Sequence, residues 1–235
     1  MVICEFTYKH YTETINEYIK SGYSIINVSD YFEGRVPQGK VMILRHDIDY
    51  SIMEAVKMAS IENSMGIKST YYVMLHNHYY NILTPMNLHG ILKIQQLGHE
   101  VSLHFESKSD FDRDVKILNE ILGVQTKTYS WHSPTCIPEK IKRNLPSAYD
   151  EKLLNEFKYI SESCHRWREG CFCNWINKKD RMYVLTHSLW WGNKDLDFKQ
   201  LLGKTVADMT FGIEEFYEVN LQKINIYLKE LYGAV

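Results

Sequence analysis

The chain predicts an α/β fold, a distorted or incomplete (β/α) barrel in a single domain, on three observations. Short β-rich runs alternate with helical patterns, which calls for parallel βα units rather than a sandwich. One run, Val41-Met42-Ile43-Leu44, is apolar throughout, as in a strand buried on both faces. His, Asp and Glu residues follow five of the runs directly, and in a parallel barrel those carboxyl ends meet on one face.

The elements follow in order. Residues 8–21 place Tyr11, Ile15, Tyr18 and Ile19 on one helical stripe, and after the Gly22 break residues 23–28 read as a strand. The apolar strand 41–44 precedes a helix over about 51–65, ended by Gly66. Residues 70–75 form the next strand, and a polar, aromatic loop (76–81) leads to a helix stopping at Leu97-Gly98. A strand at 100–104 and a helix at 111–122, closed by Gly123, come next. Residues 128–131, 158–161 and 182–185 are three further strands, and the chain is helical from about 198, as two helices packed outside. With no repeat or Pro/Gly/Ser linker, residues 1–235 read as one domain, with a core of about 23–191 and a C-terminal helical segment of about 197–235.

Composition narrows the function classes. Lys plus Arg number 27 against 29 Asp plus Glu, a net charge of -2, which leaves no electrostatic footprint for nucleic acid. No stretch approaches the roughly 20 apolar residues that span a bilayer. Glu5, Lys9, His10 and Glu13 interrupt any signal-peptide core, and the five cysteines are odd in number and unevenly spaced, so reduced thiols and a cytoplasmic location are expected. Cys164, His165, Cys171 and Cys173 crowd together, but without paired Cys-x-x-Cys hairpins they do not read as a zinc site.

The rim residues carry the chemistry. His46-Asp47-Ile48-Asp49 follows the apolar strand, His104 and Glu106 end the strand at 100, His132 ends that at 128, and Glu162 and His187 follow the last two. Asp47 and Asp49 lie two apart and share a face in extended chain, so one can bind a cation while the other acts as a base. Trp131, Glu162 and Trp190 adjoin these positions and are the candidate substrate contacts. His10, His76, His78 and His89 read as surface residues.

These residues resemble the polysaccharide deacetylase (NodB-homology, carbohydrate esterase 4-like) superfamily, in its His-Asp-x-Asp branch. Leu44-Arg45-His46-Asp47-Ile48-Asp49-Tyr50-Ser51 is similar to the first motif, and Gly98-His99-Glu100-Val101-Ser102-Leu103-His104-Phe105-Glu106 to the second. His132-Ser133-Pro134 lies where the family has Arg-x-Pro, and Leu185-Thr186-His187 is similar to its Leu-x-His motif. The resemblance spans about residues 23–191. It implies hydrolysis of an N-acetyl or related acyl group on a sugar, with one divalent metal ion, zinc foremost, as cofactor. It makes Asp47 the base that activates a water on the metal, Asp49 and His104 metal ligands, and His187 the acid that protonates the leaving amine. The family's second ligand histidine, four residues after the first, is Lys108 here, and a protonated lysine cannot be a ligand. His132 or Glu106 then completes the metal site, with His132 favoured because imidazole suits zinc.

Two other readings compete. A barrel that binds a carbohydrate or a partner without turnover follows if Lys108 marks a lost metal site. An HD-type phosphohydrolase would need His46-Asp47 on a helix, whereas the pair follows an apolar β-like run. With no signal segment expected, a soluble or nucleotide- or lipid-linked sugar fits the deacetylase reading better than a cell-wall polymer, by analogy with the family alone.

Overall fold

Seven parallel strands form one sheet in the computed structural model, which describes residues 4–106, 110–132 and 143–233. They are β1 (Tyr23–Ile26), β2 (Lys40–Ile48), β3 (Thr70–Val73), β4 (Glu100–Phe105), β5 (Tyr129–Trp131), β6 (Lys158–Ser161) and β7 (Arg181–Thr186). Helices α1 (Tyr8–Lys20), α2 (Val28–Phe32), α3 (Ile52–Ser64), α4 (Pro85–Gln96), α5 (Phe111–Leu122) and α6 (Glu151–Glu156) connect or flank them, and α7 (Phe198–Tyr232) follows. The chain divides into two compact units at Leu196/Asp197.

The sheet order is β5-β4-β3-β2-β7-β6, and the described strands leave β5 and β6 at its open edges, an incomplete (β/α) barrel. β7 takes one edge of β2 from Val41 to His46. The other edge is shared end to end, by β1 at residues 40–43 and by β3 at residues 45–48. The sheet curls strongly. Arg45 on β2 reaches Ser130 on β5 at 3.2 Å, although three strand spacings in a flat sheet would separate them by roughly 14 Å.

Alternation of side chains divides the sheet into two faces. Ile43, Tyr72 and Tyr183 point into the curl and pack with Ala148, Leu153 and Phe157, so α6 and its approach close one end of the concave side. Ile48, Tyr71, Val73, Leu103, Phe105, Tyr129 and Trp131 face outward and pack under α3, α4 and α5. The helices start as their sequences require. Thr7, Ser51 and Asp110 cap α1, α3 and α5 by accepting the backbone N–H three residues on, Pro85 begins α4, and Gly123 ends α5 in the left-handed conformation.

Two expectations change. β2 runs on to Ile48, so His46 and Asp47 lie inside the strand rather than after it. Its polar end is tolerated because β3 and β7 complete its hydrogen-bond ladder, and both faces supply buried partners for the side chains. The expected pair of C-terminal helices is one 35-residue helix, α7. It contains no proline, and Gly203 and Gly212 each cost only about 1 kcal/mol relative to alanine, too little to break it. No helix among the described residues is long and apolar enough to cross a membrane.

Candidate metal centre and active site

β2, β4 and the turn after β5 bring Asp49, His104 and His132 together at the carboxyl end of the sheet. Each contributes one ligand-capable atom, and the three atoms lie within 4.8 Å of one another. His104 Nε2 stands 3.2 Å from Asp49 Oδ1 and 3.3 Å from His132 Nδ1, and His132 Nδ1 is 3.7 Å from Asp49 Oδ1. Backbone contacts hold the three in place. Asn77 donates to the Asp49 carbonyl at 2.9 Å, Tyr80 donates to that of Ile48 at 2.8 Å, and the His132 N–H donates to the Phe105 carbonyl at 2.8 Å. The loop over residues 76–81 thus clamps the end of β2.

The donor set fits a divalent ion. His104 Nδ1–H donates to the Ser130 carbonyl at 3.4 Å, which leaves the Nε2 lone pair facing Asp49. Asp49 Oδ1 is buried and makes no hydrogen bond, despite its closeness to His104. Two such lone pairs repel each other unless a cation or a shared proton lies between them, and a divalent ion there would satisfy both. Burial opposes ionisation of Asp49, but its contacts with His104 and His132 and the charge of His187 override this and hold the carboxyl well below the usual range. Glu106 is not among the converging groups, and Lys108, Ser133 and Pro134 lie outside the described residues. His104→Ala or Asp49→Ala is therefore expected to lower the divalent-metal content by one ion per chain. His132→Ala should weaken that binding, while Glu106→Ala leaves it intact. The reverse order in metal analysis would transfer the ligand role to Glu106.

Asp47 and His187 border the cluster. Asp47 Oδ2 lies 3.8 Å from His104 Nε2, and His187 Nε2 lies 3.6 Å from Asp49 Oδ2. Asp47 is nearly inaccessible, with Oδ2 3.6 Å from the Arg45 guanidinium and accepting a long 3.4 Å bond from Ser130 Oγ, while Oδ1 has no partner. Arg45, fully buried, is held over the rings of Tyr149, Tyr183 and Tyr72. The signal for Arg45 in the sequence is its place beside an apolar strand, where a buried charge needs a partner and Asp47, two residues on, shares its face. His187 Nδ1–H donates to Glu162 Oε2 at 2.7 Å, and the His187 backbone N–H donates to Glu162 Oε1. Burial alone would lower the His187 pKa. The Glu162 carboxylate, aided by Asp49 and Asp47, outweighs that effect and raises it to about 10.

The expected substrate contacts separate. Glu162 is fully buried beneath His187 with both oxygens engaged there, so it faces the histidine rather than a ligand. Trp131 lies on the outer face among Phe105 and Tyr129, because consecutive strand residues point to opposite faces. Trp190 stays by the site, its ring centroid 6.3 Å from that of His187 and 5.4 Å from that of Tyr50. His46 points away from Asp47 through the sheet. Its Nε2–H donates to Glu62 at 2.7 Å and its Nδ1 meets Thr186 Oγ1 at 2.6 Å, so the HD-pair reading fails on geometry.

No family model matches the chain, and no curated protein matches it. Among solved structures, a deacetylase of Streptococcus pyogenes in complex with acetate is similar at 15% identity and a TM-score of 0.43, over 51% of this chain and 60% of that one. A family 4 carbohydrate esterase from Bacillus anthracis is similar at 14% identity and a TM-score of 0.42, over 84% of this chain and 85% of that one. The chitin deacetylase of the fungal pathogen Colletotrichum lindemuthianum is similar at 15% identity and a TM-score of 0.38, over 72% of this chain and 81% of that one.

Proposed function

We propose that the chain is a metal-dependent hydrolase that removes an acyl group, foremost N-acetyl, from a sugar or sugar-containing precursor. The observation that carries this reading is the placement of two proton-handling groups, Asp47 and His187, against different members of one three-ligand cluster. The ordered motifs resembling the polysaccharide deacetylases support it from the sequence side and supply the sugar. A divalent ion held by Asp49, His104 and His132, with zinc the best match to two imidazoles and a carboxylate, would polarise the amide carbonyl and acidify water.

The chain's own residues divide the protons. Asp47 Oδ1, free of partners, accepts a proton from the attacking water while Arg45 and Ser130 hold Oδ2. The water oxygen adds to the carbonyl carbon. As the C–N bond breaks, His187 Nε2 gives its proton to the departing nitrogen, with Glu162 fixing the ring through Nδ1. Tyr50, Tyr79 and Trp190 form a connected aromatic patch beside His187, suited to the apolar face of a sugar ring.

The test is acetate release from N-acetylated amino sugars, free and nucleotide-linked, by protein purified without chelator, with and without prior metal removal. Metal-dependent release is expected. A metal-loaded chain that binds these sugars and releases nothing would replace the hydrolase reading by the binding-only one.

A pH profile tests the acid separately. Glu162 stabilises protonated His187, so the alkaline limb in the parent should depend on the Glu162 charge. Glu162→Gln removes that charge, lowers the His187 pKa and moves the limb to lower pH. An unmoved limb would assign it to another group.

A further inference from the structure

We propose that Cys4, His10, Cys171 and Cys173 bind one zinc ion as a closed Cys3His centre, separate from the cluster at the sheet end. In sequence Cys171 and Cys173 cluster with Cys164 and His165, without the paired hairpins of a zinc site. The fold regroups them. Cys164 is exposed and His165 packs on Phe6, while the residues before α1 bring Cys4, and the first turn of α1 brings His10, to the Cys171-Phe172-Cys173 turn.

The four ligand atoms lie within 4.8 Å of one another. Cys4 Sγ is 3.4 Å from Cys173 Sγ, and His10 Nε2 is 3.3 Å from Cys171 Sγ. A sulfur–sulfur bond is about 2.05 Å long, so the Cys4–Cys173 separation is not that of a disulfide. Zinc bonds of about 2.3 Å to sulfur and 2.0 Å to imidazole nitrogen place tetrahedral ligands roughly 3.5–3.8 Å apart. The Cys4–Cys173 and His10–Cys171 separations are close to those edges. Three thiols and an imidazole are also a donor set soft enough for zinc, and four protein ligands leave no open position, the mark of a structural rather than a catalytic site.

The surroundings hold these ligands. Tyr18 Oη donates to the Phe172 carbonyl at 2.7 Å, which ties the Cys-x-Cys turn to α1, and Asn174 N–H donates to the Cys171 carbonyl at 3.0 Å. Thr7 Oγ1 accepts from the His10 backbone N–H and fixes the helix start. The ion would pin the N-terminal segment to residues 171–173, some 160 positions away in sequence. From there Phe6 contacts His165, which contacts Trp190 beside His187, so the centre would also support the aromatic edge of the candidate active site.

Cobalt(II) added to the metal-free full-length chain reads the centre directly. Thiolate-to-cobalt charge transfer and intense tetrahedral ligand-field bands are expected in the parent and in His104→Ala, which removes only the other cluster. Cys171→Ser and Cys173→Ser should each weaken the charge-transfer band, the double variant should lose most of it, and His10→Cys should keep it. The unmodified parent supplies a second measurement that no folding defect can mimic. Zinc should protect three of the five cysteines from a thiol reagent, and chelation should expose them. A parent without charge transfer, a band undiminished in both cysteine variants, or thiols that react equally with and without zinc would overturn the proposal. Metal loss confined to His104→Ala, with no thiolate signature, would leave the hydrolase reading standing and remove this one.

Discussion

Asp47→Asn should lower acyl hydrolysis by about 10²–10⁴-fold, the usual cost of a lost general base, while the metal content stays at the parent level. The two oxygens of Asp47 have different surroundings. Oδ2 faces Arg45 and Ser130, whereas Oδ1 is buried without a partner and is the atom left to accept a proton. Asparagine keeps the shape and removes the basic lone pair. It also removes the negative charge facing Arg45, which is fully buried and has Asp47 as its ion-pair partner among the described residues. Removing one member of a buried pair costs about 3–5 kcal/mol, so the variant should also melt earlier. Rates must therefore be compared at a temperature where circular dichroism shows both proteins folded. Parent-level turnover in folded, metal-loaded Asp47→Asn would exclude Asp47 as the base.

Glu62→Ala should destabilise the fold by a similar amount, about 3–5 kcal/mol, for a reason unrelated to catalysis. Glu62 projects from α3 into the outer core and is fully buried. It accepts from His46 at 2.7 Å, from Ser69 at 2.6 Å, from Tyr71 at 2.8 Å and from Tyr11, so one carboxylate joins α1, α3, β2 and β3. Burial disfavours its charge, but His46 and the donors around it outweigh that and hold its pKa at about 2. A folded pKa below the unfolded value means that this contribution is complete above about pH 4.3 and is lost as pH falls towards 2. Denaturant unfolding at pH 7 and pH 3 should show the parent losing more stability on acidification than Glu62→Gln does. Equal losses would show that Glu62 does not govern the acid response, and a stable Glu62→Ala protein would show that the network does not hold these elements.

The division between what the sequence carried and what the fold decided follows the range of the interactions. Strand and helix identity is local: the apolar run at 41–44 and the Gly98 and Gly123 stops each act within a few residues, and the run lies inside β2 while each stop falls next to the end of its helix. The gathering of Asp49, His104, His132 and His187 at one end was legible because parallel strands all present their carboxyl ends to the same side. Which face a neighbouring residue takes was harder to read. Trp131 and His132 are adjacent in sequence, yet alternation turns the tryptophan into the outer core, and Glu162 is drawn beneath His187 by two hydrogen bonds across neighbouring strands. The continuity of α7 was equally hidden, since the cost of two glycines competes with the hydrogen bonds of a whole helix. Contacts across the curl belong wholly to tertiary structure. Arg45 meets Ser130 only because the sheet bends, and Cys4 and His10 meet Cys171 and Cys173 only because α1 packs where the chain returns more than 160 residues later. No local periodicity encodes such meetings, because the burial that brings those residues together is set by the whole core.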